Sequence, residues 1–322
     1  CVLVVEWVLL VYLRDTQVKI TSEFSIIRKY LSGIGTSYLK TNGINLSIGD
    51  DCAQLANKSK LLISTDTSIV NVHFLKSMPA DSIAYRSVST ALSDIAAMAG
   101  EPVAFNLSLV MPSFNSFWMK CFRNGLQKIS REFKIPLIGG DLAKGPLQIS
   151  VTVIGKSKKK TLLRSNAQPG DILCLSDSVG HGYLGYKEFK RTGEVNIHTK
   201  PYLFPKAQIS YGLIISDFAS SAIDLSDGIV QDLSHLIHSS RVGCSLDLSK
   251  VPIADKKHTK QCLEFGDDYT LLYTVPPKKL SKMEANLNLK NKKCHIIGVM
   301  GGKRLKLMNN KYGPLKNWDH FK

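Results

Sequence analysis

The sequence predicts a two-domain protein of the α/β or α+β class, and three observations carry this prediction. The chain has 322 residues, whereas single hydrophobic cores stop growing at roughly 250–300 residues. Its hydrophobic residues, 44% of the total, are spread evenly, which excludes collagenous, low-complexity and disordered classes. Strand-like and helix-like apolar patterns alternate in both halves, which excludes a helical bundle.

The first 20 residues differ from the rest of the chain. Residues 1–13, CVLVVEWVLLVYL, are nearly all apolar, but a membrane-spanning helix needs about 20 such residues. The segment also lacks the basic start and the small-residue cleavage site of a secretory signal. We interpret residues 1–20 as an atypical N-terminal extension and expect no membrane anchor.

Residues 21–155 are expected to form the N-terminal domain. Apolar residues at helical spacing predict helices at 22–31, 82–98 and 116–133. Short apolar or alternating runs predict strands at 44–48, 61–64, 104–110, 135–138 and 147–155. Three of these strands are expected to end in the polar segments Gly49-Asp50-Asp51, Thr65-Asp66-Thr67 and Gly139-Gly140-Asp141.

A basic run at residues 156–160, KSKKK, is the best linker candidate and opens a C-terminal domain over residues 156–322. The same patterns predict strands there at 172–175, 245–248, 269–275 and 295–300. They predict helices at 184–191, 205–218 and 228–239.

The chain is basic, with 42 Lys and Arg against 26 Asp and Glu and a net charge of +16. Such a charge is common in proteins that bind nucleic acid or anionic membranes. However, 9 of the 42 basic residues are Arg, the residue that sequence-reading proteins need for bidentate base contacts. The chain shows no nucleic-acid-binding motif either, so we expect neither a nucleic-acid nor a membrane partner.

The seven cysteines are scattered and form no C-x-x-C pair. This distribution argues against a disulfide framework and against a zinc site. Free cysteines are typical of a reducing compartment, so we expect a cytoplasmic protein.

One glycine pattern imitates a nucleotide site. Residues 180–185, GHGYLG, match G-x-G-x-x-G after a predicted strand and at the start of a predicted helix. No acidic residue closes a second strand about 20 residues later, where a ribose would need one. We therefore interpret the pattern as a strand-to-helix turn that glycine makes possible.

Aspartates recur where predicted strands end and helices begin. The set comprises Asp50, Asp51, Asp66, Asp94, Asp141, Asp224, Asp227, Asp267 and Asp268. Any one of them could be a cap or a turn residue, but strand ends are also where open α/β sheets hold ligands. Converging carboxylates repel one another unless a cation neutralises them. With the nearby hydroxyls of Ser64, Thr65 and Ser226, they predict a polyphosphate site assembled through several Mg²⁺ ions.

Nine segments, in order, resemble the motifs of the thiamine-monophosphate kinase family. They are EFSIIRKY, IGDDCA, STDTSIVNVHF, AYRSVSTALSDIAAMAGEP, IGGDLAKGPLQISVTVIGK, RSNAQPGDIL, SAIDLSDGIVQDLSHL, FGDDYTLLYTV and WDHF. The resemblance runs from about residue 23 to residue 321. It implies the fold of aminoimidazole-ribonucleotide synthetase and selenophosphate synthetase: an α+β N-terminal domain with a mixed sheet, and an α/β C-terminal domain.

The resemblance also implies the reaction and the assembly. ATP and thiamine monophosphate would give ADP and thiamine diphosphate with the help of Mg²⁺. The N-terminal domain would bind ATP and metal and would pair with its copy in a homodimer. The alternative is another ATP-dependent enzyme of the same fold, similar to one of the two synthetases. The VHF and WDHF segments favour the thiamine kinase.

Site residues follow from the resemblance only where this sequence matches a family motif. The implied metal ligands are Asp51, Ser64, Thr65, Asp66, Asp94, Asp141, Asp224 and Asp227. The implied ATP contacts are Gly140, Asp141, Arg164 and Ser226. The implied thiamine-phosphate contacts are His73, Asp267 and Trp318. No side chain is expected to act as a general acid or base, because metal ions and positioning would carry the catalysis.

The sequence departs from the family pattern at two places, and two of the assigned residues have an alternative role. Asp267 replaces the usual Glu and is one methylene shorter. Residues 142–144, LAK, replace hydroxyl-bearing residues and an Arg. Both changes bear on affinity more than on reaction type. His73 could instead be a strand-end histidine held by backbone, and Trp318 a packing residue.

Overall fold

The computed structural model describes residues 26–48, 54–55, 60–157 and 160–316. A four-stranded sheet is built from the N-terminal half, and a six-stranded sheet is built from the C-terminal half. A short pair of strands, β1 (Ile44–Leu46) and β2 (Gln54–Leu55), precedes them. The N-terminal extension at residues 1–20 lies outside the described residues.

The N-terminal sheet is mixed and has the order β3-β6-β4-β5. Its strands are β3 (Leu61–Ile69), β4 (Gly100–Met111), β5 (Leu137–Lys144) and β6 (Gln148–Ser157). Pairing is antiparallel except between β4 and β5, which run parallel. A parallel pair needs a crossover connection, and helix α2 (Ser116–Phe133) lies within it.

Helix α1 (Ala80–Ala97) is the central element of the molecule. Nearly every residue along it is buried, because its small alanine and serine side chains let neighbours approach on all sides. It packs against β3, β4, β6 and α2 of its own half. It also packs against the C-terminal half, through α5 (Ile209–Ile215) and β8 (Ser221–Asp224).

Helix α2 has a capping residue at its N-terminus and a left-handed residue at its C-terminus. The Asn115 side chain accepts a hydrogen bond from the Trp118 backbone N–H at 2.9 Å, which satisfies one of the unpaired donors of the first turn. Lys134 ends the helix in a left-handed conformation with φ of 56°. Between these ends, the apolar stripe of Met119, Phe122 and Leu126 is fully buried.

The C-terminal sheet has the order β12-β9-β11-β7-β10-β8. Its strands are β7 (Ile172–Leu175), β8 (Ser221–Asp224), β9 (Cys244–Asp247), β10 (Leu271–Val275), β11 (His295–Met300) and β12 (Leu305–Met308). Pairing is antiparallel except between β12 and β9. Strand β10, which lies next to the edge strand β8, is buried along its whole length, because helices cover both faces of this sheet.

Besides α5, five helices accompany the C-terminal sheet. They are α3 (His181–Thr192), α4 (Lys200–Leu203), α6 (Ile229–Ser240), α7 (Thr259–Glu264) and α8 (Pro277–Asn288). Among the described residues, no helix is both long and apolar enough to cross a membrane.

Two expected strand ends are wrong, because β3 runs through Thr65-Asp66-Thr67 and β5 runs through Gly139-Gly140-Asp141. β3 pairs with β6 along its whole length, and its β-branched threonines are good strand formers. β5 stays paired with β4 as far as Lys144. These aspartates therefore lie inside strands, and the alternation of the sheet decides which way each side chain points.

Further differences come from segments with weak patterns. The sequence does not predict strands β2, β8 and β12 or helices α4, α7 and α8. Helix α8, for example, is rich in lysine, and its buried residues are Met283 and Leu287. The expected helix at 22–31 is a short turn of π-helix at Ile27–Leu31, and residues 22–25 lie outside the described part.

Candidate active site

Three aspartates from different elements converge around helix α1. Asp66 lies on β3, Asp94 lies on α1, and Asp224 is the last residue of β8. The two-residue period of β3 places Ser64 and Asp66 on one face, and the strand packs against α1. The Ser64 hydroxyl donates a 2.5 Å hydrogen bond to Asp94 Oδ2. Both halves of the chain thus contribute carboxylates to one site.

The three side chains are coupled electrostatically. The pKa of Asp66 is raised to about 6, first by burial and then by the charge of Asp94, against a hydrogen bond from Thr90. The pKa of Asp224 is raised to about 7, first by burial and then by the charge of Asp94, with a smaller contribution from Asp66. Negative charge on Asp94 therefore opposes the ionisation of its two neighbours, and a cation beside them would relieve this repulsion.

The donor set suits a metal that takes few ligands from the protein. Within the described residues, no three His, Cys, Asp or Glu side chains are close enough to hold one ion together. Mg²⁺ does not require such a cage, because it usually binds through one or two carboxylates, substrate phosphates and water. The short oxygen donors of this site fit Mg²⁺ bound in that way.

The segment between Asp224 and Asp227 is held by a residue that the sequence analysis missed. Asp232, in the first turn of α6, accepts hydrogen bonds from the backbone N–H groups of Ser226 at 3.0 Å and Asp227 at 3.1 Å. Gln231 Nε2 donates to Asp227 Oδ2 at 3.0 Å. Burial raises the pKa of Asp232 to about 8. The sequence feature that could have predicted this role is an acidic residue in the first helical turn after Ser-Asp-Gly.

Arg164 lies near the C-terminal side of this cluster. It is an exposed residue of a short 3₁₀ turn, Arg164–Asn166, and its charge lowers the pKa of Asp224. Its carbonyl oxygen accepts a 2.6 Å hydrogen bond from Ser240 Oγ, which ties the turn to α6. A guanidinium beside carboxylates can meet a phosphate group bound among them.

Gly140 and Asp141 lie on β5, at the far edge of the sheet from β3. Gly140 has φ of +148°, and a Cβ there would lie 1.8 Å from the Leu107 carbonyl oxygen, so glycine is required. The register places Asp141 in one row with Ser108, Ser150 and Thr67. Three strand spacings, roughly 14 Å, therefore separate its backbone from β3. Its role as a metal ligand stays a prediction.

Thr65 lies on the other side of β3 from Ser64. It is exposed, and its hydroxyl hydrogen-bonds the Thr152 hydroxyl across the strand pair at 2.8 Å. The sheet alternation thus brings Ser64, but not Thr65, to Asp94.

His73 follows β3 in a turn and is half-buried. Its Nδ1 accepts a 3.0 Å hydrogen bond from the Ile69 backbone N–H, so the neutral ring carries its proton on Nε2. The backbone bond supports the alternative structural role, and it also fixes the direction in which Nε2 points.

Asp267 is buried and forms an ion pair with Arg86 of α1. A substrate contact is expected to have a carboxylate that a ligand can reach, whereas the Asp267 carboxylate is buried against Arg86. Two further predicted site residues, Asp51 and Trp318, lie outside the described residues.

The glycine pattern at 180–185 is confirmed as a turn. Gly180 adopts φ of +99° and precedes α3. The backbone N–H groups of Gly180 and Gly182 donate to the two oxygens of Asp268, at 2.7 and 2.9 Å. The amide donors that would cradle a pyrophosphate are therefore already bound to a carboxylate of the same chain.

An open cavity of about 730 Å³ lies away from the aspartate cluster. Its lining mixes Glu132 and Asp177 with Lys206, Lys292 and His295. Asp66, Asp94 and Asp224 are absent from that lining, so the cavity and the aspartate cluster are separate features.

Comparison with models of known protein families identifies the class to which this chain belongs. Residues 49–157 match the family model of the AIR synthase related protein, N-terminal domain, and residues 168–308 match that of its C-terminal domain. The chain belongs to this family, and its two-domain α/β fold with mixed sheets is confirmed.

Individual relatives identify the family of this chain within that class. Thiamine-monophosphate kinase of Buchnera aphidicola subsp. Schizaphis graminum is 34% identical over 308 residues, which cover 90% of this chain and 94% of that protein. The crystal structure of thiamine-monophosphate kinase from Stenotrophomonas maltophilia K279a superposes with a TM-score of 0.78 and 27% identity, covering 89% and 98%. AaThiL complexed with AMPPCP and TMP gives a TM-score of 0.73 and 26% identity, covering 95% and 99%. The chain is a member of the thiamine-monophosphate kinase family, as its motifs predicted.

Proposed function

We propose that this chain is a thiamine-monophosphate kinase, which transfers the γ-phosphoryl group of ATP to thiamine monophosphate and releases ADP and thiamine diphosphate. The observation that carries the proposal is the cluster of Asp66, Asp94 and Asp224, whose members interact across both halves of the chain. The curated relative bears this name, and the AaThiL complex contains AMPPCP and TMP. Both comparisons support the two substrates.

The attacking group would be a phosphate oxygen of thiamine monophosphate. A phosphate monoester has a second pKa of about 6, so this oxygen is largely anionic near neutral pH and needs no general base. The obstacle is the repulsion between two anions. The contribution of the protein is therefore to hold both phosphates in line and to surround them with fixed charges and dipoles.

Asp66, Asp94 and Asp224 would hold Mg²⁺ ions, one or two carboxylates to an ion, with Asp227 beside them on the segment that Asp232 orients. When bound, Mg²⁺ neutralises the negative charge of the phosphates. Asp51, Ser64 and Asp141 would complete the ligand set for several ions that the family motifs imply, whereas the Thr65 hydroxyl lies on the opposite face of β3 and is not included. Burial and the charge of Asp94 raise the pKa values of Asp66 and Asp224, and a cation beside them would favour their charged forms.

Nucleotide and acceptor contacts complete the proposed site. Arg164 would offer its guanidinium to the ATP phosphates, and its influence on Asp224 supports that position. Gly140 and Ser226 would contact ATP, as the family motifs imply. His73 and Trp318 would contact thiamine monophosphate. The fixed Nδ1 bond of His73 would direct Nε2–H towards an acceptor.

We also propose a homodimer formed through the N-terminal sheet. The face of β3 that points away from α1 is open, with Ile63 65% exposed and Leu61 41% exposed. The hydroxyl pairs Thr65–Thr152 and Thr67–Ser150 continue this face. An apolar side chain so exposed on an edge strand is a feature that a second copy of the chain would cover.

A cytoplasmic location accords with the cysteines. The five described ones, Cys121, Cys174, Cys244, Cys262 and Cys294, are all free thiols. Free thiols persist where glutathione and thioredoxin keep proteins reduced.

The deciding experiment measures thiamine diphosphate formed by the purified chain from ATP, Mg²⁺ and thiamine monophosphate. Unphosphorylated thiamine and selenide serve as acceptors that test thiamine phosphorylation and the selenophosphate synthetase alternative. We expect product from thiamine monophosphate alone. Absence of thiamine diphosphate at every Mg²⁺ and ATP concentration would reject the proposal.

A further inference from the structure

Arg86 and Asp267 form a buried ion pair between α1 and the loop before β10. Their relative exposures are 5% and 8%. Arg86 Nη2 pairs with Asp267 Oδ1, and Arg86 Nη1 donates to the Tyr202 carbonyl oxygen at 2.6 Å. The rings of Tyr202 and Tyr269 lie 4.7 and 6.0 Å from the guanidinium carbon. Arg86 is thus fixed by contacts from two segments of the C-terminal half.

On its N-terminal side, the pair is joined rigidly to the aspartate cluster. Arg86 and Asp94 lie on the same helix, eight residues apart, or about 12 Å along the axis. That helix is packed on all sides, so a displacement of Arg86 along the axis would displace Asp94 with it.

On its C-terminal side, the pair is joined to the segment between Asp224 and Asp227. The Asp267 backbone N–H donates to the Ser226 carbonyl oxygen, and the Tyr269 N–H donates to the Leu225 carbonyl oxygen, both at 2.9 Å. Gly266 lies so close that a Cβ there would be 2.2 Å from the Ser226 carbonyl oxygen. The loop that carries Asp267 therefore rests directly on the backbone beside two predicted metal ligands.

The cost of this arrangement argues for a role beyond stability. Asp267 has φ of 62°, a left-handed conformation that non-glycine residues seldom adopt. Buried ion pairs add little net stability over well-packed apolar residues of similar volume. Strained backbone of this kind concentrates at functional sites, where the geometry itself is needed.

We propose that Arg86 and Asp267 are positioning residues, which set the spacing between the carboxylates of the N-terminal half (Asp66 and Asp94) and those of the C-terminal half (Asp224 and Asp227). This inference rests on the proposed function, and it gives Asp267 a role other than substrate contact. The pair is neutral as a whole, so it fixes distance without adding net charge to the site.

Asp267→Asn is the direct test. Asparagine has the same shape and tolerates a positive φ better than other non-glycine residues, so the variant removes the charge and keeps the loop conformation. It also leaves Arg86 buried without a counter-ion, which is strongly destabilising. The double variant Arg86→Met with Asp267→Asn removes both charges and avoids that penalty. Glu188→Gln is the matched control, because it breaks an exposed ion pair with Arg191.

The primary readout is metal binding without turnover: titration of Mn²⁺, followed by electron paramagnetic resonance, in the presence of a non-hydrolysable ATP analogue. We expect Mn²⁺ affinity to fall by about tenfold or more in both Asp267 variants, the scale seen when residues that orient metal ligands are removed. Glu188→Gln should bind Mn²⁺ as the wild type does. In turnover, the Mg²⁺ concentration for half-maximal rate should rise and kcat should fall, while KM for thiamine monophosphate at saturating Mg²⁺ stays constant.

Three results would overturn the proposal. The first is wild-type Mn²⁺ affinity in a folded Asp267→Asn or double variant, as judged by thermal unfolding. The second is a raised KM for thiamine monophosphate with unchanged Mn²⁺ binding, which would make Asp267 a substrate contact. The third is failure of both variants to fold, which would give the pair a purely structural role. If the wild type binds Mn²⁺ and nucleotide but forms no thiamine diphosphate, the proposed function fails while the Mn²⁺ comparison still decides this inference.

Discussion

The Ser64 hydroxyl donates a 2.5 Å hydrogen bond to Asp94 Oδ2 and thereby links an edge strand of the N-terminal sheet to its central helix. Hydroxyl-to-carboxylate bonds are shorter and stronger than neutral ones. This bond holds one oxygen of Asp94 in place. Ser64→Ala should therefore misorient Asp94 and lower kcat by about tenfold, the lower end of the range for removing a hydrogen bond that orients a metal ligand.

Steady-state kinetics at saturating ATP and thiamine monophosphate test the Ser64 prediction. Ser234→Ala is the matched control, because Ser234 is exposed on α6 and its hydroxyl donates to the Val230 carbonyl oxygen of the same helix. Equal rates for the two variants would show that the Ser64 bond does not orient Asp94 for the reaction.

Asp94 itself should be far more sensitive than its partner. Asp94→Asn keeps the shape of the side chain but removes the charge that acts on both Asp66 and Asp224. We expect turnover to fall by about 10² or more, the scale for removal of a preorganised electrostatic group. Asp81→Asn, the same substitution in the first turn of the same helix, should retain nearly full activity. Comparable losses in both variants would point to damage to α1 rather than to the site.

The stability of the metal-free protein should depend on pH through the aspartate cluster. The pKa of Asp224 is raised from 3.8 to about 7, so the folded state binds more protons than the unfolded state between these values. The stabilising contribution of protonated Asp224 is complete below the unfolded value and is lost as the pH rises through about 7. The melting temperature in EDTA should accordingly decrease between pH 5 and pH 8.

Asp224→Asn isolates this effect, because the amide does not titrate. Its melting temperature should vary less steeply with pH than that of the wild type, and Asp81→Asn should keep the wild-type slope. Mg²⁺ with an ATP analogue should flatten the wild-type curve, since a bound cation favours the charged carboxylate. Parallel curves for wild type and Asp224→Asn would show that Asp224 has an ordinary pKa in the folded chain.

The proposed dimer predicts a sharp difference between two exposed isoleucines. Ile63 on β3 is 65% exposed, and Ile197 in the loop before α4 is 75% exposed. Ile63→Lys would place a charge in the proposed interface, where desolvation is costly, and should give monomers by light scattering. Ile197→Lys should leave the mass unchanged. A monomeric wild type, or a dimeric Ile63→Lys variant, would contradict the proposed interface.

Local signals made most elements of the fold predictable. Helix α2 occupies the predicted residues, Ser116–Phe133, because an asparagine cap, an apolar stripe and a left-handed terminus all act within a few residues. Strands β7 and β11 likewise match, since each is a short apolar run between turn residues. The family and its motifs could also be predicted, because the nine segments occur in order along one chain.

The site was less predictable where it depends on pairing between distant residues. Whether Thr65 or Ser64 meets Asp94 depends on the face of β3, and the position of Asp141 depends on the register of β5. Sequence alternation predicts that neighbours point to opposite faces, but it does not say which face is covered. The contact between Arg86 and Asp267 joins residues 181 positions apart, and no local pattern encodes it.

The division of the aspartate cluster between two halves of the chain links catalysis to folding. Asp66 and Asp94 belong to one half and Asp224 to the other, so their mutual repulsion acts across the junction and tends to separate the halves. A cation and a nucleotide bound between them would reverse the sign of that force. By mass action, a ligand that binds only the assembled site stabilises the assembly. The stability of the folded protein should therefore rise with the concentrations of Mg²⁺ and nucleotide. In a cell depleted of both, activity would fall because the protein unfolds as well as because substrate is lacking.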